Sequence, residues 1–249
     1  MTDRKWRLAA HTIPWTKEPG TDVFRMLEEI AGLGYEGVQF MHAVGAFGSE
    51  AALAEAMRRL GLGMVSIGGP EETARLGGTI HQVGAPWRAP FGDGPVPDEE
   101  YDRFVAACAE AVETARRYGL IPAYHNHLWT IAETEEETDR IVSRVPGLKL
   151  CSDTGHWLGA DVDPIAITRK YADRLALVHL KDCYKPRFIL NKRTPFVPLG
   201  QGTLDLAGFL DLLRELDYAG WVVVEDDDPE VPAVQAMRIS REALSRLGV

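Results

Sequence analysis

Cysteine is scarce in this chain. Three residues among 249, at positions 108, 151 and 183, are odd in number and widely spaced. That pattern suits neither a disulfide framework nor a zinc knuckle, and it reads as reduced, structural thiols. Long apolar runs are missing too, with nothing approaching the roughly 18 consecutive apolar residues of a membrane span. Residues 1–7 are charged and precede only a short apolar stretch, which reads as a cytoplasmic protein without a signal peptide. Basic charge is in deficit: 27 Lys and Arg against 37 Asp and Glu leave −10. A phosphate backbone needs a concentrated basic face, so nucleic acid is disfavoured as the partner.

What is present is the composition of an ordinary globular protein, 45% hydrophobic and 26% charged. Short apolar or β-branched runs alternate with longer stretches of helical period from end to end, without a linker. Eight strands are expected, over 8–12, 37–41, 63–67, 79–83, 121–125, 149–153, 176–180 and 221–225. Helices are expected over 22–33, 49–60, 98–118, 133–145, 163–171, 204–216 and 231–247. The clearest is 98–118, where Phe104, Val105, Cys108, Ala111, Val112 and Ala115 recur at three- and four-residue intervals before the stop at Gly119. The crossover around 70–77 is too short for a full helix. These features predict an α/β fold, one (β/α)₈ TIM barrel with a shortened third crossover, occupying 1–249 as a single domain. A doubly wound sheet would carry a glycine-rich phosphate turn after its first strand, and His11-Thr12-Ile13-Pro14-Trp15 is not one.

All seven histidines, His11, His42, His81, His125, His127, His156 and His179, fall at or just beyond predicted strand ends and none on a predicted helix. A barrel gathers strand C-termini around one opening, so residues distant in sequence become neighbours there. Asp153 and Glu225 end two strongly apolar strands. A carboxylate there is costly to desolvate unless a cation or donors meet it, and a mixed His and carboxylate set offers nitrogen and oxygen to a divalent metal. The long segments 84–97 and 183–202 follow strands and are candidate lids; the second carries Lys185, Arg187, Lys192 and Arg193. Trp15, Trp87, Trp129 and Trp157 follow strand ends and suit the apolar walls of a sugar site.

The order Tyr124-His125-Asn126-His127, Asp153-Thr154-Gly155-His156, His179-Leu180-Lys181-Asp182, Gly200-Gln201-Gly202-Thr203-Leu204-Asp205 and Val224-Glu225 resembles the xylose isomerase-like barrel superfamily of sugar isomerases, epimerases and dehydratases. The resemblance implies that Asp153, His179 and Glu225 bind metal, with a fourth ligand from the fifth strand, His125 or its rival His127. It implies substrate contact at His156, the leading acid/base candidate because its ordinary pKa lies near neutrality. Lys181 should face the same side as His179 and join His156 and Glu225 in catalysis, with Asp182 orienting it. His11, His81, His127, Trp157 and Asp182 are the expected substrate contacts.

Two departures from the family pattern bear on the reaction. Sugar isomerases and ketose epimerases of this family usually carry Glu where this chain has His125, and many members carry Glu where it has Gln39. The closer likeness is to the inosose dehydratase branch, through Tyr-His-x-His before Thr, through His179-Leu180-Lys181-Asp182, and through Gly220-Trp221-Val222-Val223-Val224-Glu225 followed by acids and Pro229. This implies a metal-dependent enzyme acting on a keto-sugar or keto-cyclitol, with Mn²⁺ or Co²⁺ first and Zn²⁺, Fe²⁺ or Mg²⁺ also accepted. Sugar (phosphate) isomerisation or ketose epimerisation is the alternative, since both begin with the same enolisation. An abasic-site endonuclease is a remote one that the acidic balance opposes. The expected partner is a small sugar or cyclitol, with no membrane or nucleic acid; barrels of this kind often form dimers or tetramers, so a homo-oligomer is compatible.

Overall fold

A computed structural model describes residues 4–88, 96–184, 196–227 and 230–249. Eight strands form the sheet: β1 (Arg7–His11), β2 (Gly37–Gln39), β3 (Gly63–Ser66), β4 (Ile80–Gly84), β5 (Ile121–His125), β6 (Lys149–Asp153), β7 (Leu175–Leu180) and β8 (Trp221–Val224). They pair in parallel in the order β3-β2-β1-β8-β7-β6-β5-β4. Between β3 and β4 no ladder forms; there the Thr79 N–H donates to the Val65 carbonyl at 3.1 Å. The result is a nearly closed TIM barrel.

Helices surround it: α1 (Val23–Gly32), α2 (Glu50–Leu60), α3 (Pro70–Arg75), α4 (Asp98–Tyr118), α5 (Glu135–Val142), α6 (Pro164–Lys170), α7 (Leu206–Glu215) and α8 (Ala233–Arg246). The third crossover is short, as expected, because α3 has only 6 residues. α4 begins where expected, whereas α1, α2, α5, α6, α7 and α8 begin one or two residues later, and in the first five of these a capping side chain stands just outside the helix. Asp22, Ser49 and Asp163 accept N–H bonds from the first turns of α1, α2 and α6. Thr134 and Glu137 form a capping box that starts α5 two residues late. No described helix is long and apolar enough to cross a membrane.

Strand alternation sorts the barrel interior into layers. The floor is apolar: Ala9, Val65, Ile80, Ala123, Cys151, Leu177, Trp221 and Val223 pack together inside the ring. Leu8, Ala10, Val38, Val178, Leu180, Val222 and Val224 face outward and meet Met26, Leu27, Ile30, Leu53, Phe209, Leu213 and Met237 of the helices. Two residues beyond an inward-facing floor residue the chain places His11 on β1, Gln39 on β2, Gln82 on β4, His125 on β5, Asp153 on β6 and His179 on β7, with Glu225 just past β8. The strand period therefore lays a polar layer over an apolar one.

The floor also explains a glycine. Trp221 lies beneath the guanidinium of Arg7, 3.9 Å from its ring centre. A Cβ on Gly37 would stand 2.5 Å from the Trp221 ring and 2.9 Å from the Gly63 carbonyl. Gly37→Ala is expected to lower stability by about 1–3 kcal/mol through overpacking, read as a lower urea midpoint. An unchanged midpoint would contradict this packing.

Candidate active site

The Asp153 carboxylate is the hub of the polar layer, fully buried and divided between two tasks. Oδ1 accepts the His156 N–H at 2.9 Å and so caps a short helix, Thr154–Gly159. Oδ2 faces the cluster, 3.2 Å from His125 Nε2, 3.6 Å from His179 Nδ1, 3.6 Å from Lys181 Nζ and 3.7 Å from His156 Nε2. Asn126 fixes the backbone here, donating to the Asp153 carbonyl and accepting its N–H. Across the ring His179 Nδ1 lies 2.7 Å from Glu225 Oε2.

The donor set fits a divalent cation. One ligand atom each from Asp153, His179 and Glu225 lie within 4.8 Å of one another, as do those of His125, Asp153 and His156, and those of His125, Cys151 and His179. His179 Nδ1 and Glu225 Oε2 are sealed from water, and neither has a hydrogen-bond partner of acceptable geometry despite their closeness. Burial alone would lower the His179 pKa, but without a cation the neighbouring Cys151, Glu225 and Asp153 outweigh it and hold the ring well above the ordinary value, as an ion pair with Glu225. With the ring neutral, Nδ1 and Oε2 both turn lone pairs to the same point, which suits a cation between them. His125, Asp153, His179 and Glu225 are the residues that could hold it. His127 belongs to none of these groups; its Nδ1–H donates to the Leu128 carbonyl at 2.8 Å and its ring lies 3.7 Å from that of His156.

Part of the negative charge is offset by Lys181, whose buried ammonium donates to Glu225 Oε1 at 2.8 Å and Asp227 Oδ2 at 2.9 Å and lies 3.2 Å from His156 Nε2. Burial alone would deprotonate it, but Asp153, Asp227 and Glu225 hold its pKa well above the ordinary value. Burial would likewise raise both carboxyls; Lys181 and His156 hold Asp153 low, and His11, Lys181 and His179 hold Glu225 low. His156 goes the other way: burial, with Lys181 adding to it, keeps its pKa well below the usual imidazole range. The Leu128 N–H donates to its Nδ1 at 3.3 Å. Gly155 lets the Lys181 stem pass, since a Cβ there would meet Lys181 Cγ at 2.6 Å. Phe196 closes the side, 4.5 Å from Lys181 Nζ and edge-on to His156.

The structure brings His11, His125, His127, His156, His179, Lys181, Asp153 and Glu225 together. His11 Nδ1 lies 3.9 Å from Glu225 Oε2, and burial drops its pKa to about 4; burial does the same to His127. Other expectations are corrected. His81 stands between inward-facing Ile80 and Gln82, so its ring takes the outer face of β4, away from the cluster. Trp157 packs in the outer core with Tyr124 and Ile167 and donates to Ser152 Oγ, so it is no substrate wall. Asp182 neither contacts the cluster nor orients Lys181, because its oxygens accept from the backbone N–H groups of Cys183, Gly200, Gly202 and Leu204. His156 is on a helix, which the reading of a bare strand end had excluded. Of the tryptophans, Trp87 and Trp129 stack beside His127, while Trp15 is buried core. Lys185, Arg187, Lys192 and Arg193 lie outside the described residues. Gln82, Asp227 and Phe196 are site residues not foreseen; strand parity counted from Ile80 would have found Gln82.

A buried cluster of imidazoles and carboxylates at the strand C-termini of a parallel barrel is a frequent setting for metal-assisted chemistry. The chain belongs to the xylose isomerase-like TIM barrel family, whose model matches residues 27–247. It is 33% identical over 190 residues to an inosose dehydratase from Geobacillus kaustophilus (strain HTA426), which covers 69% of this chain and 61% of that relative. The chain thus spans less than two thirds of that relative's length. Among solved structures it resembles the probable 3-DHS dehydratase AsbF involved in petrobactin synthesis from Bacillus anthracis, with TM-score 0.79, 16% identity and 96% and 98% of the two chains covered. It also resembles the IolI protein with a binding zinc atom, with TM-score 0.79, 18% identity and 97% of each chain covered.

Asp182→Ala removes the acceptor of four backbone N–H groups. A loss of about 2–4 kcal/mol is expected, measured as a fall in Tm. An unshifted Tm would show that the loop does not depend on this carboxylate.

Proposed function

We propose that the chain is a divalent-metal-dependent dehydratase that removes water from a keto-cyclitol of the inosose kind. The observation that carries this reading is the convergence of His179 Nδ1, Glu225 Oε2 and Asp153 Oδ2 without hydrogen-bond partners for the first two. The likeness to an inosose dehydratase supports the substrate class. His125, Asp153, His179 and Glu225 would hold the ion, and a mixed nitrogen and oxygen set suits Mn²⁺ or Co²⁺, with Zn²⁺, Fe²⁺ and Mg²⁺ next. When bound, the cation would supply Lewis-acid polarisation of the substrate ketone.

The remaining work falls to two groups whose environments push their pKa values apart, which is how one site obtains a base and an acid at the same pH. His156 is held neutral and takes the proton from the carbon beside the ketone. Lys181 is held charged and gives a proton to the hydroxyl leaving from the next carbon, so that it departs as water. The doubly protonated His156 ring then gives up one proton to Lys181, whose Nζ lies 3.2 Å from His156 Nε2, which restores the charge of both groups. Trp87 and Trp129, stacked with ring centres 6.4 Å apart beside His127, offer an apolar face to the C–H side of a cyclitol. An epimerase that passes its proton between two opposed carboxylates would need an acid where β5 ends in His125, which favours dehydration over that alternative.

Protein stripped by chelator should be inert toward inosose and recover with Mn²⁺ or Co²⁺, giving a product lighter by one water. His156→Asn and Lys181→Met should each lower kcat by about 100-fold or more while metal content is kept. A product of unchanged mass would overturn dehydration, and activity indifferent to chelation would overturn the metal.

A further inference from the structure

Gln39 is buried at the end of β2, and its side-chain oxygen lies 2.8 Å from His179 Nε2. Its amide nitrogen donates to Gln82 Oε1 at 2.5 Å, from β4. The pair spans the seam where β3 and β4 form no ladder. An amide has a donor end and an acceptor end, so the bond to Gln82 decides which end Gln39 presents to the histidine. With its oxygen turned that way, Gln39 can only accept, and the His179 proton must sit on Nε2. In the neutral ring that a metal would bind, the lone pair is then on Nδ1, the atom that faces Glu225 Oε2 and Asp153 Oδ2 and has no hydrogen-bond partner of acceptable geometry.

We infer that Gln39, itself oriented by Gln82, is a positioning residue that sets the His179 tautomer and so directs Nδ1 toward the metal. The inference rests on the metal reading above. Outer partners of a metal-bound imidazole fix its tautomer and ring orientation in this way. A neutral amide serves that end without a further negative charge. Asp153, Glu225 and Asp227 already oppose one ammonium, Lys181, and a glutamate at position 39 would add a fourth carboxylate to the same dry space.

The test uses the full chain with Zn²⁺ as the probe, its affinity measured by competition with a chromogenic chelator. Nitrogen-15 correlation spectra of the imidazoles report the tautomer. Wild-type protein should show His179 protonated at Nε2 and zinc-bound at Nδ1. Gln39→Leu should weaken zinc binding by about 10–100-fold and lose that single tautomer. Gln39→Glu, which can still accept from Nε2, should retain both. Gln39→Leu binding zinc as tightly as wild type, or a wild-type His179 bound through Nε2, would overturn the inference. If Gln39→Leu fails to fold, the wild-type spectrum can still overturn the inference, and Gln82→Leu, which leaves Gln39 in place but removes the partner that orients it, should weaken the single tautomer. Wild-type protein that takes up no zinc would instead overturn the metal reading, and the inference with it.

Discussion

The structure turns on one carboxylate that water never reaches. Asp153 is fully buried, and its charge is held by what surrounds it: a helix N-terminus on one oxygen, and His125, His156, His179 and Lys181 around the other. Removing a charge from water costs several kcal/mol unless partners compensate. The helix N-terminus and His156 are local, while His125 comes from β5 and His179 and Lys181 from the end of β7, so pairing β6 with its two neighbours is what completes the shell around Asp153.

Lys181 extends that constraint. A buried ammonium is stable only among anions, and it meets Glu225 and Asp227 directly and Asp153 at a longer distance. The apolar floor of Ala9, Val65, Ala123, Cys151, Leu177 and Val223 keeps water out from below. In such a medium each charge contact is stronger than it would be in solvent. The same dryness that strains the fold separates the protonation states of His156 and Lys181, and the proposed chemistry uses that difference.

The barrel was legible because strand and helix periods were clean: all eight strands fall within two residues of their expected ends, and α4 matches at both. The core of the site was legible because a histidine or carboxylate ending an apolar strand stands out against its neighbours. Errors arose where side-chain direction, not residue type, decides. His81 carries the suggestive ring, but Gln82 has the inward parity. Trp157 follows a strand end like Trp129, yet the helix Thr154–Gly159 turns it into the outer core. That helix escaped notice because it has only 6 residues with Gly155 in its first turn, although Asp153 caps it locally through the His156 N–H three residues on. Asp182 was misread because a charged residue beside Lys181 suggests an ion pair, whereas four backbone amides claim it.

The central claim is that His125, Asp153, His179 and Glu225 form an all nitrogen and oxygen metal centre above Cys151. X-ray absorption of the cobalt-loaded protein tests it most directly. The account predicts nitrogen and oxygen scatterers at about 2.0–2.2 Å, two of them with imidazole outer shells, and no sulfur near about 2.3 Å. A sulfur shell, placing Cys151 on the ion, or the lack of any imidazole signal would contradict it.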